Sequence, residues 1–195
     1  MTQWVENDGG GRDRGPRAVA RAWAEVLVRP RRFFRAGIEP GDQAPALTFV
    51  VAVVAIEEIS RFLLVENAVP TVKRVEIPEP VALGVAVLIL APLSVHLISA
   101  LQTVLLMIGS PERGGVSETV QVLAYSTAPC VFAGAPVPTL RVVCAVYGTV
   151  LYVAGLSHVH DLSGPRALAL GTIPAAVAFG YGFRGFDAAM QLVGG

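Results

Sequence analysis

Two adjacent carboxylates and one arginine lie inside an otherwise apolar stretch of this sequence. Glu57 and Glu58 directly follow a run of apolar residues that ends at Ile56, and Arg61 comes three to four positions later. On a helix, this spacing brings both carboxylates within reach of the guanidinium group. An ionised side chain inside a membrane costs at least about 2.5–3.5 kcal/mol, so it needs a partner or a function.

A second polar feature lies in the next apolar run. His96 is near its middle, and Ser99 and Thr103 follow at helical spacing, which predicts a polar stripe on one helix face. If the two runs are antiparallel neighbours, His96 lies within about one helical turn, roughly 5 Å, of the level of the glutamates. We therefore define a candidate intramembrane polar cluster: Glu57, Glu58, Arg61 and His96.

This cluster has two interpretations, which the sequence leaves open. It can handle protons or ions, as in a small transporter or channel. Alternatively, it is structural: a Glu–Arg pair and a hydrogen-bonded histidine hold two helices together.

Other reactive residue types do not form a recognisable site. His158 and His160 are two positions apart, so on a helix they point to different sides and do not converge on a metal ion. Cys130 and Cys144 lie in apolar runs, which predicts buried thiols. The spacing shows no phosphate-binding loop, nucleophile elbow or zinc-binding His pair. We therefore predict a non-enzymatic protein with no catalytic residues, no metal site and no cofactor.

The composition predicts that the lipid bilayer is the main partner. The 195 residues are 53% hydrophobic and only 15% charged, whereas soluble domains carry about 25% charged residues. The chain has too little charge to cover a water-facing surface, and no stretch of it reads as a soluble domain. We expect no nucleic-acid partner.

The apolar segments predict an all-α, polytopic integral membrane bundle of about five transmembrane helices. The longest segment, residues 81–108, contains no Asp, Glu, Lys or Arg. As a helix it would reach roughly 42 Å, which exceeds a hydrocarbon core of about 30 Å, so it must tilt or bend, and Pro92 supplies a bend. Within a transmembrane domain of residues 44–184, the spans are predicted near residues 44–64, 81–108, 119–140, 142–159 and 167–183.

The N-terminal region predicts a tail and then a membrane-surface helix. Residues 1–16 are rich in glycine and charge, which favours disorder. Residues 17–37 alternate apolar and arginine positions at helical spacing, as in an amphipathic interfacial helix, and Pro30 breaks it. Its predicted contacts with the membrane surface, including anionic lipid, are Trp23, Arg31, Arg32, Phe33, Phe34 and Arg35. The alternative is a short helix packed on the protein's own cytoplasmic face.

The distribution of basic residues predicts the orientation. Eight arginines precede the first predicted span: Arg12, Arg14, Arg17, Arg21, Arg29, Arg31, Arg32 and Arg35. Because Lys and Arg accumulate on the cytoplasmic side, we expect a cell-membrane protein with its N-terminus inside. Five spans then place the C-terminus outside.

Three short motifs resemble the Yip1 family of five-span membrane proteins, in its prokaryotic branch. They are PRRFF at residues 30–34, AYSTAP at 124–129 and GLSHVHDLSGPRA at 155–167, and the likeness covers roughly residues 22–183. The resemblance implies the five-span architecture and no known catalysis. Eukaryotic relatives act in vesicle trafficking with prenylated Rab GTPases, but this chain lacks their long acidic N-terminal region and its Asp-Leu-Tyr-Gly-Pro signature.

Two functional hypotheses follow. In the first, the protein organises or shapes the membrane, or scaffolds partners there, namely further copies of the chain or other membrane proteins. In the second, it is a small transporter or channel that uses Glu57, Glu58 and His96.

Overall fold

The computed structural model describes residues 15–66, 68–69, 71–72, 75–110 and 114–194, and in these residues the chain is a bundle of helices. The helices, in chain order, are α1 (Pro16–Val28), α2 (Pro30–Ala36), α3 (Ala44–Leu64), α4 (Glu79–Gly109), α5 (Val116–Ser126), α6 (Pro138–Val159), α7 (Gly164–Gly182) and α8 (Gly185–Gly194). Two short antiparallel strands, β1 (Thr71–Val72) and β2 (Val75–Glu76), join α3 to α4, with Thr71 opposite Glu76.

Two described helices are long and apolar enough to cross a membrane, namely α4 with 31 residues and α6 with 22. Helices α7 and α8 add a third span if this pair, bent by 71°, counts as one. Helix α3 has 21 residues, a sufficient length, but it carries the three charges of Glu57, Glu58 and Arg61. The structure thus supports two or three spans, and the full set of five stays a prediction.

The predicted third span, residues 119–140, does not form one helix, whereas the predicted fourth, residues 142–159, lies within α6. Helix α5 ends at Ser126, a 3-10 segment follows at Ala128–Phe132, and α6 already begins at Pro138. Proline explains both ends, because Pro129 cannot donate within a continuing helix, whereas Pro138 suits the first position of a new one. With 11 residues, α5 is about 16 Å long, so this helix alone is too short to cross the bilayer.

Two helices contain a widened π-helical segment beside a proline. In α4 the segment is Ala86–Leu90, two residues before Pro92, and in α7 it is Ala176–Gly182, after Pro174. Proline removes a backbone donor and crowds the preceding turn, which disturbs the regular hydrogen-bond ladder. The predicted bend at Pro92 therefore takes the form of a π segment within a helix that runs on to Gly109.

The N-terminal arm, α1 and α2, packs on the bundle. The two helices meet at Arg29, so the predicted break at Pro30 is present. Ala18, Ala22 and Val26 form the buried face of α1. Residues 1–14 of the predicted tail lie outside the described residues, and Pro16, the last residue predicted for it, begins α1.

Phe33 and Phe34 belong to the core, so the prediction that they contact the membrane surface is wrong. They are 0% and 2% exposed, and the Phe33 ring meets Tyr125 edge-on at 4.7 Å between centroids. A side chain at Gly155 would place its Cβ 3.0 Å from the Phe34 ring. A glycine on α6 therefore leaves the space that this ring fills, and hydrophobic burial holds the arm in place.

Candidate functional site

The glutamates of the candidate polar cluster form an ion-pair network with two arginines. Arg61 donates to Glu58 Oε2 from Nε at 3.0 Å and from Nη2 at 2.5 Å. Arg184 donates to Glu58 Oε1 from Nη1 at 3.3 Å, and its Nη2 pairs with Glu57 Oε1. The two carboxylates are thus balanced by two guanidinium groups, and this pairing offsets the cost of burying charge. We refer to these four side chains as the ion-pair network.

The sequence did not identify Arg184 as a member of this network. It lies 127 positions from Glu57, so no helical spacing connects them. Arg184 occupies the bend between α7 and α8 with a left-handed φ of 56°, which turns the chain after α7. The available signal was charge balance, because one arginine cannot neutralise two adjacent carboxylates.

The remaining contacts of the network place it at one end of the bundle. The Arg61 guanidinium lies 4.7 Å from the centre of the Phe62 ring, and it also donates to the Ala68 carbonyl. A Cβ at Gly134 would come within 2.1 Å of the Glu57 carbonyl oxygen, so the connection before α6 passes directly against α3. Arg141 Nε, in the first turn of α6, donates to the Ala133 carbonyl at 2.9 Å and so ties this connection to the start of α6.

His96, the fourth predicted member of the cluster, lies apart from this network. Its side chain is exposed, and its Nδ1 is 2.7 Å from the Pro92 carbonyl of its own helix. Ser99, three positions later, is fully buried. The structure therefore brings together Glu57, Glu58 and Arg61 but not His96.

The buried polar stripe of α4 consists of Ser99, Gln102 and Thr103. The Tyr152 hydroxyl of α6 donates to Gln102 Oε1 at 2.9 Å, and Thr103 donates to the Ser99 carbonyl at 2.7 Å. Sequence reasoning found Ser99 and Thr103 but missed Gln102. The Tyr152–Gln102 contact joins α4 and α6, while Gln102 Nε2 and Ser99 Oγ are buried without a hydrogen-bond partner among the described residues.

A cavity of about 440 Å³ adjoins the ion-pair network. It lies between α3 and the π segments of α4 and α7. The polar side chains in its wall are those of Glu57, Glu58, Ser94, Thr127 and Tyr181. The rest of the wall is largely apolar and includes Val50, Val54, Val95, Ile98 and Leu123.

The histidines near the end of α6 make separate contacts, as their spacing predicted. His158 Nδ1 is 2.7 Å from the Ala154 carbonyl of its own helix. His160 is buried, and its Nδ1 accepts a hydrogen bond from the Gly114 backbone at 3.1 Å. Because Nδ1 accepts, the neutral ring carries its proton on Nε2, which lies 3.3 Å from the Thr119 hydroxyl. This histidine joins the start of α5 to the end of α6.

The N-terminal arm presents basic side chains on its outer surface. Arg31, Arg32 and Arg35 of α2 are exposed. Two hydrogen bonds fix the arm from the other side, one from Trp23 Nε1 to the Ala128 carbonyl at 2.8 Å and one from the Tyr147 hydroxyl to the Leu27 carbonyl at 2.5 Å. Trp23 is half-buried, so its indole contacts the bundle on one side.

Comparison with known proteins gives one family. Residues 24–183 match the model of the Yip1 domain, and this match covers most of the chain. No curated protein and no solved structure matches the chain.

Proposed function

The chain belongs to the Yip1 domain family, and we propose that it is a non-enzymatic, multi-pass membrane protein that organises or shapes the membrane or scaffolds partners there. The protein resides in a membrane, as its apolar helices and its family indicate. The proposal further places the N-terminus in the cytoplasm and the C-terminus outside, with anionic lipid bound at the arm.

The observation that carries this proposal is the docking of the arm. Phe33 and Phe34 are buried in the bundle, whereas Arg31, Arg32 and Arg35 of the same short helix are exposed. A basic surface is thereby held at a fixed position relative to the membrane-embedded helices. Each Lys or Arg near an anionic membrane surface contributes about 1 kcal/mol of attraction, so three arginines form an effective lipid contact.

The pairing of the glutamates favours this function over ion transport. Glu57 and Glu58 share two arginines, and His96 lies apart from them. Breaking such a pairing is costly, so we interpret it as a fixed contact between helices rather than as part of an ion path.

Vesicle shape tests the proposal. The full chain is reconstituted into vesicles that contain phosphatidylglycerol, and their curvature is measured by electron cryomicroscopy. We expect the wild type to deform these vesicles, and the triple variant Arg31→Gln, Arg32→Gln, Arg35→Gln to deform them less. The matched Arg→Lys triple variant retains the charge and should act like the wild type.

A scaffold differs from a membrane-shaping protein in a second measurement. If vesicles stay round but membrane proteins copurify with the wild type and not with the Gln variant, the scaffold form of the proposal holds. Round vesicles together with identical copurification for both proteins would contradict the proposed function.

A further inference from the structure

We propose that the cavity beside Glu57 binds an amphiphile with a primary ammonium head and an alkyl chain. This site lies away from the basic surface of the arm, so it goes beyond the proposed function. Three features of the cavity support this proposal. It has a carboxylate acceptor at one end, its body is apolar, and it opens onto the apolar surface of the bundle.

The polar end of the cavity offers acceptors. Glu57 is 2% exposed and lines the cavity. Its Oε1 pairs with Arg184, whereas among the described residues its Oε2 has no hydrogen-bond partner. A carboxylate has about four lone-pair sites, so Oε2 can accept a hydrogen bond from a donor on a ligand in the cavity.

The charge in the cavity wall favours a cation. Glu58 lines the cavity beside Glu57, and these two are its charged lining residues in the described part of the chain. Arg61 and Arg184 hold the carboxylates without lining the cavity themselves. An ammonium group combines N–H donors with positive charge, and charge-assisted hydrogen bonds are roughly twice as strong as neutral ones.

The body of the cavity suits an alkyl chain. Val50 and Val54 continue along α3 from Glu57, a distance of seven residues or about 10 Å. Val95, Ile98 and Leu123 face them from the other helices. The volume of about 440 Å³ falls in the range of about 300–1,000 Å³ that small-molecule sites occupy.

The mouth of the cavity explains why the ligand is an amphiphile. Leu90 and Tyr181 line the cavity and are 52% and 74% exposed. Their neighbours Ile89 and Leu93 are exposed apolar residues, so this surface suits lipid. Leu90 and Tyr181 lie in the two π segments, a feature that occurs frequently at functional sites. A ligand that dissolves in the bilayer therefore reaches the mouth laterally.

Photolabelling tests this proposal in the intact protein. The full chain in lipid nanodiscs is labelled with a long-chain primary amine that carries a diazirine, and the labelled residues are mapped by mass spectrometry. We expect the labels on residues around the cavity. Decylamine should compete with the label at about tenfold lower concentration than decanol does, because its charged donor binds the carboxylate more strongly. Equal competition by both compounds would overturn the ammonium assignment.

Two variants and one control test the location of the site and the role of Glu57. Ala91 is buried in the cavity wall, so Ala91→Leu should reduce labelling about tenfold by filling space, whereas Ala100→Leu on the exposed face of α4 should not change it. The double variant Glu57→Gln, Arg184→Gln removes the carboxylate without leaving an unpaired charge, and it should abolish the preference for decylamine over decanol. Labelling of Ala91→Leu at the wild-type level, or an unchanged preference in the double variant, would overturn the proposal.

Discussion

Arg184 Nη2 pairs with Glu57 Oε1 and thereby connects the bend after α7 to the C-terminal half of α3, the chain's first long helix. Glu57 is 3% exposed in its side chain and Arg184 is 26% exposed, so this is a largely buried ion pair. Breaking one partner of such a pair leaves the other as an uncompensated buried charge. The pair therefore joins the bend between α7 and α8 to α3.

Removal of the arginine should destabilise the bundle strongly. We expect Arg184→Gln to lower the free energy of unfolding by about 3–5 kcal/mol, because Glu57 then remains buried without its main counter-charge. The measurement is thermal or denaturant unfolding of the full chain in a mild detergent. Arg166→Gln, at an exposed position near the start of α7, is the matched control and should have little effect.

A double variant separates the pair from general damage. Glu57→Gln combined with Arg184→Gln leaves no unpaired charge at this position, so it should be more stable than Arg184→Gln alone. The resulting coupling energy should be in the range of about 0.5–3 kcal/mol that contacting residues show. If the two single substitutions change the free energy of unfolding by amounts that simply add in the double variant, the contact does not hold the helices together.

Docking of the arm should depend on the space at Gly155. We expect Gly155→Val to cost about 1–3 kcal/mol through overpacking, because its Cβ would come within 2.6 Å of Val122 and 3.0 Å of the Phe34 ring, and to displace Phe34. Limited proteolysis of the full chain with trypsin reports the result, because a released arm becomes cleavable after Arg31 and Arg32. Gly84→Val is the control, since a Cβ at Gly84 meets no atom within 4 Å. Equal protection of both variants would show that Phe34 does not hold the arm.

Reporter fusions test the predicted topology. With five spans and a cytoplasmic N-terminus, fusions after Val75, Val116 and Gly195 should report outside, inside and outside. The reason is the accumulation of arginines before the first span. A fusion after Gly195 that reports inside would exclude the odd number of spans.

The sequence predicted the helical character of the fold well because long apolar runs leave little alternative to a helix in a membrane. Residues 44–64 coincide with α3, and residues 81–108 lie within α4. The predicted third span, residues 119–140, runs past the end of α5, because hydropathy does not detect the 3-10 segment after Ser126. Proline spacing carried that information, but membrane helices tolerate prolines, so the signal alone did not fix the boundary.

The candidate site was predicted in part. Local spacing found the Glu58–Arg61 pair, which is three positions apart on one helix. It could not find Arg184 or the outward orientation of His96, because both depend on how distant helices pack. Aromatic residues next to arginines suggested a lipid contact for Phe33 and Phe34, whereas the tertiary fold uses these rings as core.

The most direct test of the account measures which lipids accompany the protein. The full chain is purified from vesicles of equal parts phosphatidylglycerol and phosphatidylcholine, and the copurified lipids are quantified by mass spectrometry at low and high salt. We expect enrichment of phosphatidylglycerol that weakens at high salt, because ions screen exposed charges. The Arg31→Gln, Arg32→Gln, Arg35→Gln variant should lose most of this enrichment, and the Arg→Lys triple variant should keep it. Equal amounts of the two lipids with the wild-type protein at low salt would contradict the claim that the docked arm presents a lipid-binding surface.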